Sequence, residues 1–336
     1  MRDFSAQQRL FSALRRPFPG VHPRIIRSIY VRIGSVIRIY EAGRIGSAGG
    51  ERPIALENRQ IGAYVLGRND IEYRMSLAKF FGRSTGPSGP KRRRAYVIGD
   101  IHGCLDLLDR LLERIEEEIA AAPRMKTSII FLGDIVDRGP SSAQVVERLR
   151  TYSNPQASAH FIMGNHEEVM LRVIAGDTDM LGSWLRFGGR ETLASYGVDS
   201  KSLKKLESTE LSERLRSAIP ESHRRFLAGF SDSISFGDYV FVHAGIRPGV
   251  DLAEQSQSDL RWIREPFLSD ETERGFIVVH GHTITNSVDV APNRIGVDTG
   301  AYSTGILSAL AIEQSRRWLV QTNGEETQRV SLEERP

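Results

Sequence analysis

The chain has 336 residues, enough for one large domain or two ordinary ones, and its 40% hydrophobic content supports a packed core. A single cysteine, Cys104, excludes an internal disulfide framework; no run of about 18 residues is free of charge, and the amino terminus lacks a compact apolar signal core, so a spanning helix and a secretory leader are not expected and the cytoplasm is. The net charge of +3 hides an asymmetry, because residues 1–94 hold 19 Lys/Arg against 6 Asp/Glu and the remainder holds 26 against 36.

Residues 1–94 read as a basic N-terminal extension. Gly/Pro clusters (Pro17 to Gly20, Gly46 to Gly50, Gly86 to Pro90) interrupt any periodicity there, so no compact domain is expected. Ile25 to Tyr40 sets Arg27, Arg32 and Arg38 among β-branched and aromatic residues, a pattern open to contact with anionic lipid or nucleic acid. The composition describes a solvated, poorly ordered extension better, and no specific nucleic-acid partner is expected. Met75 is an alternative start, in which case residues 1–74 are upstream sequence. The basic run Lys91 to Arg94 reads as a solvated linker.

From Ala95 the pattern becomes regular. AYVIGD is a short apolar strand, and LDLLDRLLERIEEEI places Leu105, Leu108, Leu112, Ile115 and Ile119 on one helical face. SIIFLGD is a second strand, SSAQVVERLRTY a second helix, and SAHFIMGNH a third strand that ends in a polar motif. Residues 166 to 230 read as helical, with LGSWLRFGG and ESHRRFLAGF as pieces. Short strands then return: DSISF, YVFVHAG, FIVVHGHT, RIGVDTG, GILSALAIE and RRWLVQT. Alternating strands and helices followed by hairpin-like strands predict an α/β fold built as a sandwich of two mixed sheets over residues 95–322, with 323–336 as a polar tail.

Five polar motifs each follow a strand-like run: GDIHG (Gly99 to Gly103), GDIVDRG (Gly133 to Gly139), GNHE (Gly164 to Glu167), HAG (His243 to Gly245) and HGHT (His280 to Thr283). Strands that share a sheet would bring these ends to one rim. Together they supply Asp100, His102, Asp134, Asn165, His243 and His282, a mixed N/O donor set suited to divalent first-row metals and not to calcium. Six residues can serve two ions if one carboxylate is shared, and two ions about 3.5–4 Å apart acidify a bridging water and clamp a group in in-line displacement. Phosphoester hydrolysis is the reaction implied, and Arg138 then has a purpose, since its planar fork grips phosphate oxygens. One GD after a strand is common; five such motifs in order are not.

The five motifs resemble the signature set of the phosphoprotein phosphatase family of calcineurin-like metallophosphoesterases, in its bacterial and phage serine/threonine phosphatase branch. WIRE (Trp262 to Glu265) and VDTG (Val297 to Gly300) add to a resemblance that covers roughly residues 95 to 322. It implies that Asp100 and His102 hold one metal, that Asp134 bridges, and that Asn165, His243 and His282 hold the second. It also implies that His166 protonates the leaving group, that Asp137 orients His166, and that Arg138 and Arg264 grip phosphate together with Asn165. Manganese heads the expected metals, with iron, zinc and magnesium as alternatives, and a phosphorylated protein or peptide is the expected substrate. Symmetrical dinucleoside-tetraphosphate hydrolases share the fold, and the Asp at 137 and the Glu of GNHE set this chain apart from them; a broad-specificity phosphoesterase, acting also on phosphotyrosine or small phosphoesters, is the other alternative. His280, Glu167 and Cys104 are expected to support the site without doing chemistry, and Asp298 to form a turn or stand at the rim.

Overall fold

The computed structural model describes residues 86–203, 205–323 and 326–331, together with five short strands nearer the amino terminus. The chain divides into two units, 1–85 and 86–336. In the first, β1 (Ser28–Ile33), β2 (Val36–Glu41), β3 (Ile54–Ala55), β4 (Gly62–Leu66) and β5 (Glu72–Met75) pair antiparallel in the order β3-β2-β1-β4-β5. Regular strands therefore stand where the sequence read as a poorly ordered extension, and Met75, the alternative start, ends β5; the side chains that would make an anionic-surface contact lie outside those described.

The second unit opens with β6 (Arg93–Ile98), α1 (Leu105–Ala121), β7 (Lys126–Phe131), α2 (Ser142–Arg150), β8 (Ala157–Phe161) and α3 (Asn165–Ile174). β6, β7 and β8 run parallel, as the strand–helix alternation requires. The helical stretch that follows holds α4 (Thr178–Trp184), a one-turn bulge over Leu185–Gly189, α5 (Arg190–Ser195), α6 (Ser208–Ala218) and α7 (Glu221–Ala228). Then come β9 (Ser233–Phe236), β10 (Tyr239–Val242), α8 (Gln257–Trp262), β11 (Ile277–His280), β12 (Asp289–Val290), β13 (Arg294–Gly296), α9 (Ala301–Thr304), β14 (Ser308–Glu313), β15 (Arg316–Asn323) and β16 (Glu326–Ser331).

Two mixed sheets result, β16-β15-β14-β6-β7-β8 and β12-β13-β11-β10-β9. Period-2 alternation sorts each strand between two cores. Ala95 and Val97 of β6 face the second sheet with Phe241, Val279 and Leu310, while Tyr96 and Ile98 face the helices with Leu108 and Ile115. On α1, Leu107, Leu108, Leu111, Leu112, Ile115 and Ile119 are buried. At about 1.5–3 kcal/mol for each fully buried aliphatic side chain, packing outweighs intrinsic propensity in holding this helix.

Two stretches differ from the expectations drawn from sequence. Lys91 to Arg94 is no solvated linker throughout: Arg94 is buried and its guanidinium donates to Glu313 at 2.8 Å across the β6–β14 pair, so a partner absorbs the charge. The compact unit also starts at Gly86, where Ser88 N–H donates to Asp238 and Tyr239 Oη donates to the Pro87 carbonyl. Residues 326–331, expected as part of a tail, pair antiparallel with β15, their polar sequence suiting an edge strand. Among the described residues no helix is long and apolar enough to cross a membrane.

Candidate active site

Six parallel strands, three from each sheet, deliver the polar motifs. β6 leads to Asp100 and His102, β7 to Asp134, Asp137 and Arg138, and β8 to Asn165 and His166; β10 leads to His243, β11 to His282 and β13 to Asp298. Their carboxyl ends form one rim, where the backbone leaves the sheet ladder and its peptide groups pair with neighbouring loops instead. The turns are tight: His102, Asp134, Asp137, Arg138 and His282 all hold φ between 46° and 71°. Non-glycine residues rarely adopt this region, and each such residue costs on the order of 1–3 kcal/mol, so the surrounding contacts must impose it. Gly281 is required because a Cβ there would run into Asp100 Oδ1.

The predicted metal ligands converge. His102 Nε2 lies 3.6 Å and His243 Nε2 3.4 Å from Asp134 Oδ2, and His243 Nε2 lies 3.0 Å from Asn165 Oδ1. Donor atoms of Asp134, His243 and His282 all fall within 4.8 Å of one another, and so do those of His102, Asp134 and His166. Asp100 stands beside them, accepting the His282 N–H at 3.1 Å. Donors about 2.1 Å from a shared ion sit about 3.0–3.4 Å apart along the edge of its coordination shell, so these spacings fit ligation.

The tautomers fit as well. His102 Nδ1 and His243 Nδ1 each pair with a backbone carbonyl, Val136 and Leu132, at 2.8 Å, which leaves the Nε2 lone pairs turned toward Asp134. His102 Nε2 and His282 Nε2 are buried without a hydrogen-bond partner. Burial pushes the His102 imidazole well below its ordinary range and His282 down to about 3, the neutral state a ligand needs. Burial alone would raise Asp134, yet the surrounding imidazoles, His243 foremost, hold it well below the usual range. Burial opposes charge on His243 while Asp134 favours it: that position calls for a positive charge, proton or metal. Asp100 is raised by burial and then by the charges of Asp298 and Asp134. A cluster of buried carboxylates and neutral imidazoles is a site built for cations.

Beside it stands a second arrangement. His166 Nδ1 donates to Asp137 Oδ2 at 2.7 Å, and Arg138 Nη2 lies 3.2 Å from His166 Nε2. Burial works against charge on His166, but Asp134 and the Asp137 hydrogen bond outweigh it and hold the imidazole above its ordinary value. The Arg138 contact suits a neutral ring, because Nε2 must accept there; it also argues against a metal on that nitrogen. Burial pushes Asp137 upward, yet its oxygens accept from His166 Nδ1, from Trp184 Nε1 at 2.9 Å and from Thr192 Oγ1 at 2.6 Å. Three donors require acceptor lone pairs, so we take Asp137 as the carboxylate.

Sequence reasoning missed Trp184 and Thr192. Both are buried, and they hold Asp137 from the helical stretch. It also missed Gly188, which at φ 117° lets its carbonyl accept the Arg138 N–H at 3.2 Å, where a side chain would strike Arg138. The SWLRFGG run carried the signal, a bulky residue beside paired glycines, without naming a partner. Arg264 is exposed, and its charge is one of the influences that lower His282; Trp262 turns its indole N–H to Glu168 at 3.2 Å.

Glu167 gathers the loops: its carboxyl accepts from the N–H groups of Asp134, Ile135, Val136 and Gly164. Burial and then Asp134 push it up to about 7, but two N–H donors on each oxygen favour the ionised form. His280 is buried edge-on to Phe267 and held down to about 4 by burial. Cys104 is buried and pushed up to about 11, by burial first and Asp106 second, so it is no nucleophile. Asp298 both shapes a turn, accepting Gly300 N–H at 2.9 Å, and keeps a buried, unpartnered Oδ2.

Fold and site together define a metal-dependent phosphoester hydrolase. The model of the calcineurin-like phosphoesterase family matches residues 93–319, and the chain belongs to that family. Among curated relatives, the asymmetrical bis(5'-nucleosyl)-tetraphosphatase PrpE of Bacillus velezensis is 25% identical over 225 residues, 61% of this chain and 83% of that protein. The symmetrical bis(5'-nucleosyl)-tetraphosphatase of Janthinobacterium sp. is 26% identical over 274 residues, 64% of this chain and 91% of that protein. Among solved structures, a cold-active protein tyrosine phosphatase aligns with a TM-score of 0.48 and 17% identity, over 81% of this chain and 94% of that one.

Proposed function

We propose that the protein hydrolyses phosphomonoesters of alkyl alcohols, with phosphoserine and phosphothreonine in proteins or peptides as its substrate class. The 2.7 Å pair of His166 and Asp137 at the edge of the ligand cluster carries this reading. A serine alkoxide leaves poorly unless it is protonated, and an imidazole braced by a carboxylate is the group to do it. A nucleoside polyphosphate is a weak base and leaves without that help.

Two divalent ions, held by Asp100, His102, Asp134, Asn165, His243 and His282, would supply an acidified water and offset charge on the transferring group. Arg138 and Arg264 hold the phosphate oxygens and, with Asn165, fix the group in line for attack. As Arg138 turns to the phosphate it releases the His166 Nε2 lone pair, which takes up a proton from solvent; the resulting imidazolium then gives that proton to the leaving oxygen. Asp137 stabilises the imidazolium, and Trp184 and Thr192 keep Asp137 ionised and in place.

A second reading, hydrolysis of dinucleoside tetraphosphates, is favoured by the names of the curated relatives. Measuring kcat/KM on the manganese-loaded protein with a phosphoserine peptide, a phosphotyrosine peptide and diadenosine tetraphosphate separates the two. The first reading expects turnover of the phosphoserine peptide; turnover of diadenosine tetraphosphate alone would replace it with the second.

A further inference from the structure

Tyr302 has no part in the chemistry described so far, yet it stands over it. Its ring centre lies 4.7 Å from Arg138 Cζ, and it packs perpendicular to the His102 ring at a centroid distance of 5.5 Å. The ring is 40% exposed, so it marks the mouth of the site and not its floor. A braced turn delivers it: Gly300 at φ 70° precedes α9, Asp298 Oδ1 accepts the Gly300 N–H, Thr299 Oγ1 donates to the Ile306 carbonyl at 2.7 Å, and Thr304 Oγ1 donates to the Thr299 carbonyl at 2.8 Å.

Arg138 needs such a support. Its backbone is clamped by Gly188, but its long side chain has many rotamers, and ordering a free guanidinium on phosphate costs conformational entropy. An aromatic face within about 6 Å of a guanidinium attracts it through the ring quadrupole. A guanidinium already stacked there loses less freedom when phosphate arrives.

We propose that Tyr302 is the positioning residue for Arg138, holding the guanidinium at the mouth of the site, within a short turn of the phosphate it grips. The proposal rests on Arg138 as a phosphate-gripping residue. It concerns the ring and not the hydroxyl, and it acts on binding before chemistry.

The test uses the full chain loaded with manganese. Affinity for inorganic phosphate is measured by calorimetry, so that the result does not depend on turnover; steady-state kinetics on a phosphoserine peptide, metal content and thermal unfolding accompany it. Tyr302→Leu is expected to weaken phosphate binding and raise KM by about 3- to 10-fold, with kcat within about twofold and metal content unchanged. Tyr302→Phe should match the parent protein. In an Arg138→Ala background, Tyr302→Leu should have no further effect. Unchanged phosphate affinity in Tyr302→Leu, equal damage from Phe and Leu, loss of metal, or full additivity with Arg138→Ala would each overturn the proposal. If Arg138→Ala itself leaves phosphate affinity unchanged, the premise about Arg138 fails and the proposal with it. An inactive protein whose phosphate affinity still depends on Tyr302 would sink the reading of function and leave the proposal standing.

Discussion

His166 is held from two sides, by Asp137 on Nδ1 and by Arg138 on Nε2, and the chemistry depends on which contact gives way. His166→Asn is expected to lower kcat on a phosphoserine peptide by about 100-fold or more, while an activated aryl phosphate loses far less, because only the poor leaving group needs the proton. Equal losses on both substrates would argue against proton transfer. The Asp137 hydrogen bond favours the charged ring, so activity on alkyl phosphates should decline as pH rises through the His166 pKa, and the decline should vanish in His166→Asn. Trp184→Phe keeps the bulk but removes a donor to Asp137, with an expected cost of about 5- to 30-fold in kcat, read from steady-state rates at constant metal content. The candidate metal ligands were legible in sequence because they sit in short motifs at strand ends. Trp184 and Thr192 were not, since they approach Asp137 from 47 and 55 positions away and no local pattern encodes that meeting. Tyr302 was hidden for the same reason.

Strand ends explain why so few motifs build so much. The inner parallel strands are buried and apolar while β8, at the sheet edge, is half-exposed; all turn polar within a few residues of their ends, and the strain of five left-handed residues is concentrated there. Apolar runs bounded by glycine made β6, β7, β10, β11 and β14 legible, and the spacing of leucines made α1 legible. β12 is two residues long and β16 lacks apolar alternation, so neither carried a pattern strong enough to read. The basic run before β6 misled because a charge buried against a partner looks, in sequence, like a charge in water. Glu313→Ala would leave Arg94 buried without its main partner and is expected to destabilise the fold by about 3 kcal/mol, seen as a lower denaturant midpoint with an unchanged slope. A midpoint within error of the parent would mean that water or Arg94 rearrangement replaces the pair.

Across the whole molecule, two sheets that meet at one rim bring together residues from Asp100 to Asp298, so the site exists only when both sheets are in place. The family matches over 93–319, the region where the motifs lie, and the fold was legible there because the strand ends that carry the site pair glycine with a carboxylate, carboxamide or imidazole. The central claim is that this rim holds two divalent ions and that hydrolysis depends on them. Elemental analysis paired with activity on a single preparation tests it most directly: strip the protein with a chelator, then titrate manganese back while counting bound ions and measuring phosphate release. The expected result is no turnover without metal, recovery that saturates at two ions per chain, and loss of at least one of the two in Asp134→Asn. Full turnover from metal-free protein, or saturation without any bound ion, would contradict it.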